Sequence, residues 1–308
     1  WPAASTIGEM FDRAGLTVRR RRRLRVPAYS APFASCCLAN DVWTIDFKGW
    51  FRTADGRRCD PLTLQDACTR YLLRCQVLAQ LDYGRVWPVL EAAFREYGLP
   101  VALRSDNGTP FASRAAGGLS KLAVRVIQAG VVPERIAPGH PEQNGRHERL
   151  HRTLKEDTAS PPAASLRAQA VRFRRFQRIY NEERPHEALD QTPPGWHYQV
   201  SPRSWDGVLR SPQPDQAVAK RRVGKDGMIK WCDRLVYINE NLAGEWLGLE
   251  EVAEGLFDVR YGPVSVGRLR HRGKKLIRKA AGRGLVDNAE ALPTTPPPQP
   301  PQGDENEE

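Results

Sequence analysis

Apolar residues along the central part of the chain recur first at every second position and then at helical spacing. In Trp43-Thr44-Ile45-Asp46-Phe47-Lys48, Trp43, Ile45 and Phe47 share one face of a strand predicted over Val42 to Phe51. Asp55-Gly56 is a hairpin turn signal, and Leu62 to Ala67 and Tyr71 to Leu78 read as two further strands. Val86, Val89, Leu90, Ala93, Phe94 and Tyr97 then repeat at the period of a helix, which Gly98 and Pro100 end. A short strand over Val101 to Arg104 leads into the turn Asp106-Asn107-Gly108. A helix over Leu119 to Ala129 and a strand over Val131 to Ala137 follow. Pro141 is placed to open another helix, and a long one is predicted over Leu166 to Asn181. Three meandering strands followed by two strands alternating with helices make a mixed five-stranded sheet flanked by helices, an α/β fold.

The pattern differs on either side. Thr6 to Ala14 reads as a short helix with a possible Thr6/Glu9 capping box and Gly15 as its stop. Its one apolar face needs a partner, as the last helix of a helical DNA-binding module would. From about Asp215 to Leu276 the chain changes to short strands, Met228 to Ile238, Trp246 to Leu249, Leu256 to Tyr261 and Val264 to Leu269. They predict a small C-terminal β-barrel or sandwich with a basic edge at Arg268, Arg270, Lys274 and Lys275. The last residues are Pro-rich and then acidic, the composition of a disordered tail. The expected organisation is a helical remnant and basic linker over 1–37, a core over 38–200, a β-barrel domain over 214–277 and the tail over 288–308.

Charge narrows the partners. The 308 residues carry a formal net charge of +11 and a pI near 9.6, and Arg far outnumbers Lys. Guanidinium groups suit bidentate phosphate contacts, so nucleic acid leads over a membrane surface. The run Arg19, Arg20, Arg21, Arg22 and Arg23 would neutralise phosphates without reading sequence, or serve as a solvated linker. Nothing resembles a membrane span or a signal peptide. The six cysteines form no C-x-x-C pair and have no histidine at zinc-finger spacing, which argues for reduced thiols rather than a structural zinc site.

Three acids stand out against this background. Asp46 sits in mid-strand on the face away from Trp43 and Ile45, where a carboxylate must be hydrated, paired or metal-bound. Asp106 follows a strand's carboxyl end, where open α/β sheets place their sites, although Asp-Asn-Gly also serves as a plain turn. Glu148 lies on the predicted helix with Asn144 and Gly145 one turn before it and Arg152 and Lys155 one and two turns after it. Taken singly, it reads as an exposed acid bridged to Arg152. Three converging carboxylates could hold two divalent cations, with hard oxygen donors favouring Mg²⁺ or Mn²⁺.

Trp43-Thr44-Ile45-Asp46-Phe47, Ser105-Asp106-Asn107-Gly108-Thr109-Pro110-Phe111 and Pro138-Gly139-His140-Pro141-Glu142-Gln143-Asn144-Gly145-Arg146-His147-Glu148-Arg149 together resemble the integrase catalytic core family of bacterial insertion-sequence transposases and retroviral integrases. Tyr180-Asn181-Glu182-Glu183-Arg184-Pro185-His186 looks like the segment closing the core in bacterial members. The resemblance implies a ribonuclease H-like fold and an Asp, Asp, Glu metal site at Asp46, Asp106 and Glu148. It also implies metal-dependent cleavage and strand transfer of double-stranded DNA by a homo-oligomer, in the bacterial cytoplasm at the nucleoid. Asn107, Asn144, Arg149, Arg152 and Lys155 become candidate DNA contacts beside the Arg19 to Arg23 run. Asp106 and Glu148 are 42 positions apart, more than is usual in the family, which points to extra residues in the loop around Gly117 and Gly118.

Two rival readings compete. A chain with the same motifs could bind DNA without cutting it. His147-Glu148-Arg149-Leu150-His151 also fits H-E-x-x-H, the zinc protease pattern, but no third ligand stands out and Asp46 and Asp106 would go unexplained.

Overall fold

The computed structural model describes residues 3–16, 36–47, 49–136, 145–215 and 218–278. The Arg19 to Arg23 run, Lys48, His140, Asn144 and the expected tail over 288–308 lie outside them.

Helix α1 (Ala4–Arg13) begins two residues before Thr6, so Thr6 lies inside the helix rather than capping it. Gly15 ends it as expected. Its φ of +68° lets the Leu16 amide reach back to the Phe11 carbonyl, the bond that closes a Schellman cap. Met10 and Phe11 remain exposed on this helix.

The central sheet contains β1 (Val42–Phe47), β2 (Phe51–Arg52), β3 (Arg58–Asp66), β4 (Leu72–Leu78), β5 (Ala102–Ser105) and β6 (Val132–Arg135). Its order is β2-β3-β1-β5-β6, with β4 also paired to β3. Strands β1, β3 and β4 pair antiparallel, and β1, β5 and β6 pair parallel. This is the mixed sheet expected, with one difference. The single strand expected over Val42 to Phe51 is divided, because Gly49 takes a φ of +89° between β1 and the two-residue β2.

Both faces are covered. Helices α2 (Tyr83–Tyr97) and α3 (Lys121–Gln128) pack Leu90, Phe94, Leu122 and Val126 against Trp43, Ile45, Leu62 and Leu64. Asp82 and Ser120 cap these helices by accepting the Arg85 and Ala123 amides. Helices α4 (Gly145–Thr158) and α5 (Leu166–Glu182) cover the other face, where Leu150, Leu154, Phe173 and Phe176 close over Cys59, Leu72 and Cys75. Alternation along β1 and β3 therefore divides the sheet. Ile45, Leu62 and Leu64 face α2 and α3, whereas Thr44, Asp46 and Thr63 face α4.

The C-terminal residues form β7 (Ala219–Arg222), β8 (Met228–Trp231), β9 (Arg234–Tyr237), β10 (Trp246–Ala253), β11 (Leu256–Tyr261) and β12 (Val264–Arg270). Their ladders give a four-stranded sheet, β12-β11-β10-β7, and a separate β8-β9 hairpin, rather than a closed barrel among the described residues. The strand expected over Met228 to Ile238 folds back on itself at Cys232-Asp233. Both residues take positive φ, as the two central positions of a type I′ turn require. The hairpin's Ile229, Trp231 and Val236 pack on Leu247, Leu249, Val259 and Tyr261 of the larger sheet.

This unit is joined to the core by shared packing. Ala123, Val124 and Ile127 of α3 enter the same buried cluster. The Asn239 amide donates to the carbonyls of Ala116 and Leu119, in the loop that carries Gly117 and Gly118. A Cβ on Gly117 would sit 3.1 Å from the Val266 Cα, so the loop that sequence analysis marked as extended is a seam pressed against β12.

Candidate active site

The parallel register of β1 and β5 places two acids together. Ile45 pairs with Ser105, so Asp46 and Asp106 are the next residues along, Asp46 near the end of β1 and Asp106 just past the end of β5. Neighbouring strands lie about 4.8 Å apart. Asp46 is half-buried: one carboxylate oxygen accepts the Phe47 amide at 2.8 Å, and the other lies 4.0 Å from His151 Nδ1. Asp106 Oδ1 accepts the Gly108 amide at 3.0 Å. Burial pushes the Asp106 carboxyl above its ordinary value, and the Gly108 bond offsets only part of that rise. A carboxylate in such a place is destabilised as an anion until a cation joins it.

Helix α4 is fastened beside these acids by two histidines. Thr63, the cross-strand partner of Asp46, holds His147 Nε2 at 2.6 Å and His151 Nε2 at 2.7 Å through its hydroxyl. His147 Nδ1 lies 2.9 Å from the Thr44 hydroxyl. Both rings are buried, and burial followed by the neighbouring His151 holds the His147 pKa well below its usual value. The imidazole nitrogens that a zinc site would use are directed into the sheet, which makes the H-x-x-x-H spacing a packing device.

Those contacts fix the rotation of α4. Leu150 and Leu154 turn toward β4 and α5, and His147 and His151 sit over β3 and β1. At about 100° per residue, Glu148 and Lys155 share the flank of α4 past His151, away from Leu150. Glu148 is exposed. Among the described residues it has no ion pair with Arg152, so the bridge expected of an isolated surface acid is absent. No group of three or more His, Cys, Asp or Glu side chains close enough to hold a metal ion occurs among the described residues. The fold thus brings Asp46 and Asp106 to adjoining positions, without gathering the three carboxyl groups into one cluster among the described residues.

The other expected contacts fall in different places. The Asn107 amide donates to the Ile136 carbonyl at 2.7 Å, tying the loop after β5 to the end of β6. Arg149 and Arg152 are exposed and line a cleft beside α4. Lys155 borders a pocket of ≈180 Å³ with Trp50 and Phe51. Sequence reasoning missed Trp50, which is 56% exposed with the Arg52 and Arg58 guanidinium groups over its ring, and it missed the Thr63 anchor. Asp66 is a structural acid. It accepts the Asn40 amide and both the amide and hydroxyl of Thr69. Trp87 and Trp231 pack in the two cores.

Two family models, both described as integrase core domain, match residues 38–141 and 129–194, together just over half of the chain. An insertion element IS476 uncharacterized 39.2 kDa protein of Xanthomonas euvesicatoria is 30% identical over 190 residues, 61% of this chain and 53% of that protein. An insertion element IS407 uncharacterized 31.7 kDa protein of Burkholderia multivorans is 31% identical over 191 residues, 61% of this chain and 66% of that protein. The chain therefore spans about half of the first relative's length and just under two thirds of the second's. Among solved structures, the HTLV-2 integrase catalytic core domain in complex with magnesium is similar at 12% identity and a TM-score of 0.42, over 53% of this chain and 98% of that one. A chain of the simian T-cell lymphotropic virus intasome in complex with PP2A regulatory subunit B56 gamma is similar at 14% identity and a TM-score of 0.44, over 86% and 87%. The motifs around Asp46, Asp106 and Glu148 thus lie inside a matched region over residues 38–194, and the chain belongs to the integrase core domain family.

Proposed function

We propose that this protein is a metal-dependent DNA transposase that cuts the ends of a mobile element and joins them to target DNA. The observation that carries the reading is the β1–β5 register, which sets Asp46 and Asp106 side by side at the carboxyl end of a parallel strand pair. The strand order and the helices on both faces support a ribonuclease H-like core.

The donor set suits a hard divalent cation such as Mg²⁺ or Mn²⁺. Asp46 and Asp106 offer carboxylate oxygens from rigid strand ends, and the raised pKa of Asp106 marks a site where positive charge is favoured. Glu148 would complete the set from α4. When bound, such cations lower the pKa of an attacking hydroxyl and neutralise charge on a phosphate. The chain's own residues do the rest. Thr63 and the two histidines hold α4 at a fixed rotation beside β1. Lys155, on the same flank of α4 as Glu148, would hold a neighbouring phosphate. Water attacks a phosphodiester at the element's end and frees a 3′-hydroxyl. That hydroxyl then attacks a target phosphodiester, displacing its 3′-oxygen, so the number of phosphodiester bonds is conserved in the joining step.

A strand-transfer assay with Mg²⁺ or Mn²⁺ tests the reading. Asp46→Asn, Asp106→Asn and Glu148→Gln should each lose cutting and joining by on the order of a hundredfold or more. Activity equal to the parent in all three would remove the assignment.

A further inference from the structure

Two cysteines from separate segments meet at the entrance to the core. The turn over residues 38–41, which leads into β1, lies against the turn that joins β3 to β4. The Cys68 thiol donates to the Cys37 carbonyl at 3.0 Å, across 31 positions of sequence. A carbonyl oxygen is two bonds, less than about 2.8 Å, from its own Cα. The Cys68 sulfur is therefore within about 5.8 Å of the Cys37 Cα, and a small movement of either turn brings the two sulfurs to bonding geometry.

The surrounding bonds hold this pair in register. The Asn40 amide donates to Asp66 Oδ2 at 2.7 Å, and Asp66 Oδ1 accepts both the amide and the hydroxyl of Thr69. The Ala67 amide donates to the Val42 carbonyl at 2.9 Å, and the Cys37 amide to Asp41 at 2.9 Å. Both cysteines therefore sit between residues that are tied to the opposite turn or to their own. Cys37 is exposed and Cys68 half-buried, so a small reagent reaches the pair from solvent. The other thiols are placed differently. Cys36 packs against the small apolar cluster of Val42, Ala67 and Ala102. Cys59 and Cys75 are buried beneath α4 and α5, where burial pushes both thiols up, Cys59 to about 12, and disfavours the reactive thiolate. Cys232 packs with the C-terminal cluster.

We infer that Cys37 and Cys68 form a reversible disulfide in the folded protein, a staple that ties the chain entering β1 to the β3–β4 turn. The oxidant is a low-molecular-weight disulfide. The Cys37 thiolate attacks one of its sulfurs, forming a mixed disulfide and releasing one small thiolate. The Cys68 thiolate then attacks the Cys37 sulfur, closing the protein disulfide and releasing the second. Two protein thiols are oxidised, one small disulfide is reduced, and the two protons given up by the cysteines end on the two small thiols. Exchange with excess thiol reopens the staple. The closed loop contains β1, β2 and β3, and restricting it in the unfolded chain makes the oxidised protein the more stable form. None of this depends on the catalytic reading.

The test starts from the full chain, first reduced and then incubated with oxidised glutathione. It is digested without reductant and its peptides are mapped by mass spectrometry. The expected product is an intramolecular link between the peptides that carry Cys37 and Cys68, reversed by dithiothreitol. The link should form in Cys36→Ser as in the parent and be lost in Cys37→Ser and in Cys68→Ser. The oxidised parent should melt about 5 °C or more above the reduced one, and Cys37→Ser should show no such rise. Mixed disulfides with glutathione alone, a link through Cys36, or a link between two chains would each overturn the staple, as would a linked parent that melts no higher than the reduced protein. The parent's own peptide map decides the matter even where a variant fails to fold.

Discussion

His151 faces Asp46 across the junction of α4 and β1, with Nδ1 4.0 Å from Oδ2, while its other ring nitrogen lies 2.7 Å from the Thr63 hydroxyl. One imidazole therefore touches the sheet anchor and the first acid together. This couples the position of α4, and of Glu148 on it, to the strand that carries Asp46. Chemistry and packing share the same three or four side chains at this corner of the core.

Thr63→Val should accordingly harm both stability and activity. It removes the hydroxyl shared by His147 and His151 and leaves buried imidazole nitrogens without it, a cost of about 1–3 kcal/mol. Thermal or urea unfolding would measure the loss. Unchanged stability would show that the histidines do not depend on Thr63.

The same buried pair predicts acid sensitivity. A histidine whose pKa falls on folding contributes stability that is lost as pH drops through its unfolded value, here near 6.5, toward its lower folded one. Stability should decline over that range in the parent and less in His147→Gln, compared by unfolding at several pH values. The parent should also purify without stoichiometric zinc. Tightly bound zinc that disappears in His151→Ala would favour the protease reading.

Asp106 gives the opposite sign. Its folded pKa lies above the ordinary 3.8, so the folded state holds its proton more tightly and loses stability as pH rises from about that value through the folded one. Asp106→Asn should therefore be as stable as the parent or more so at neutral pH without divalent cations, the difference closing in acid. Mg²⁺ should raise the melting temperature of the parent and not of the variant. A variant clearly less stable than the parent at neutral pH would contradict this.

Glu148→Gln separates function from folding. The side chain is exposed and makes no ion pair among the described residues, so stability should change by no more than about 0.5 kcal/mol while cutting is lost. Circular dichroism melts run beside the cleavage assay would show whether the two quantities separate.

Asn239→Leu tests the seam between the two parts of the molecule. The substitution would remove the donor shared by the Ala116 and Leu119 carbonyls, at about 0.5–1.5 kcal/mol per bond, the Leu119 carbonyl keeping the Ser113 hydroxyl and the Asn241 amide. A protein whose melt is unaltered would show that the Asn239 bonds do not hold the seam.

Much of the core was legible because each acid came with a local rule. Alternation about Ile45 sent Asp46 to the face opposite the main apolar core, and the brevity of β5 put Asp106 at a strand end. Helix α5 runs over Leu166–Glu182, one residue longer than the Leu166 to Asn181 expected. What escaped depended on contacts remote in sequence or on conformations without a residue signature. Thr63 gave no hint that it would meet two histidines more than eighty residues away. Cys232 and Asp233 turn a hairpin without the glycine or asparagine that usually marks one. The charged β7, Ala219–Arg222, lacks the apolar alternation that reveals a strand, and pairing with β10 alone defines it. Cys68 met Cys37 only once the chain was folded.

The most direct measurement is a crystal structure of the protein with DNA and Mn²⁺, read by the anomalous scattering of manganese. The account predicts manganese bound jointly by the Asp46 and Asp106 carboxylates, with Glu148 from α4 joining the same coordination shell. Manganese at saturating concentration bound elsewhere, or touching neither aspartate, would contradict it.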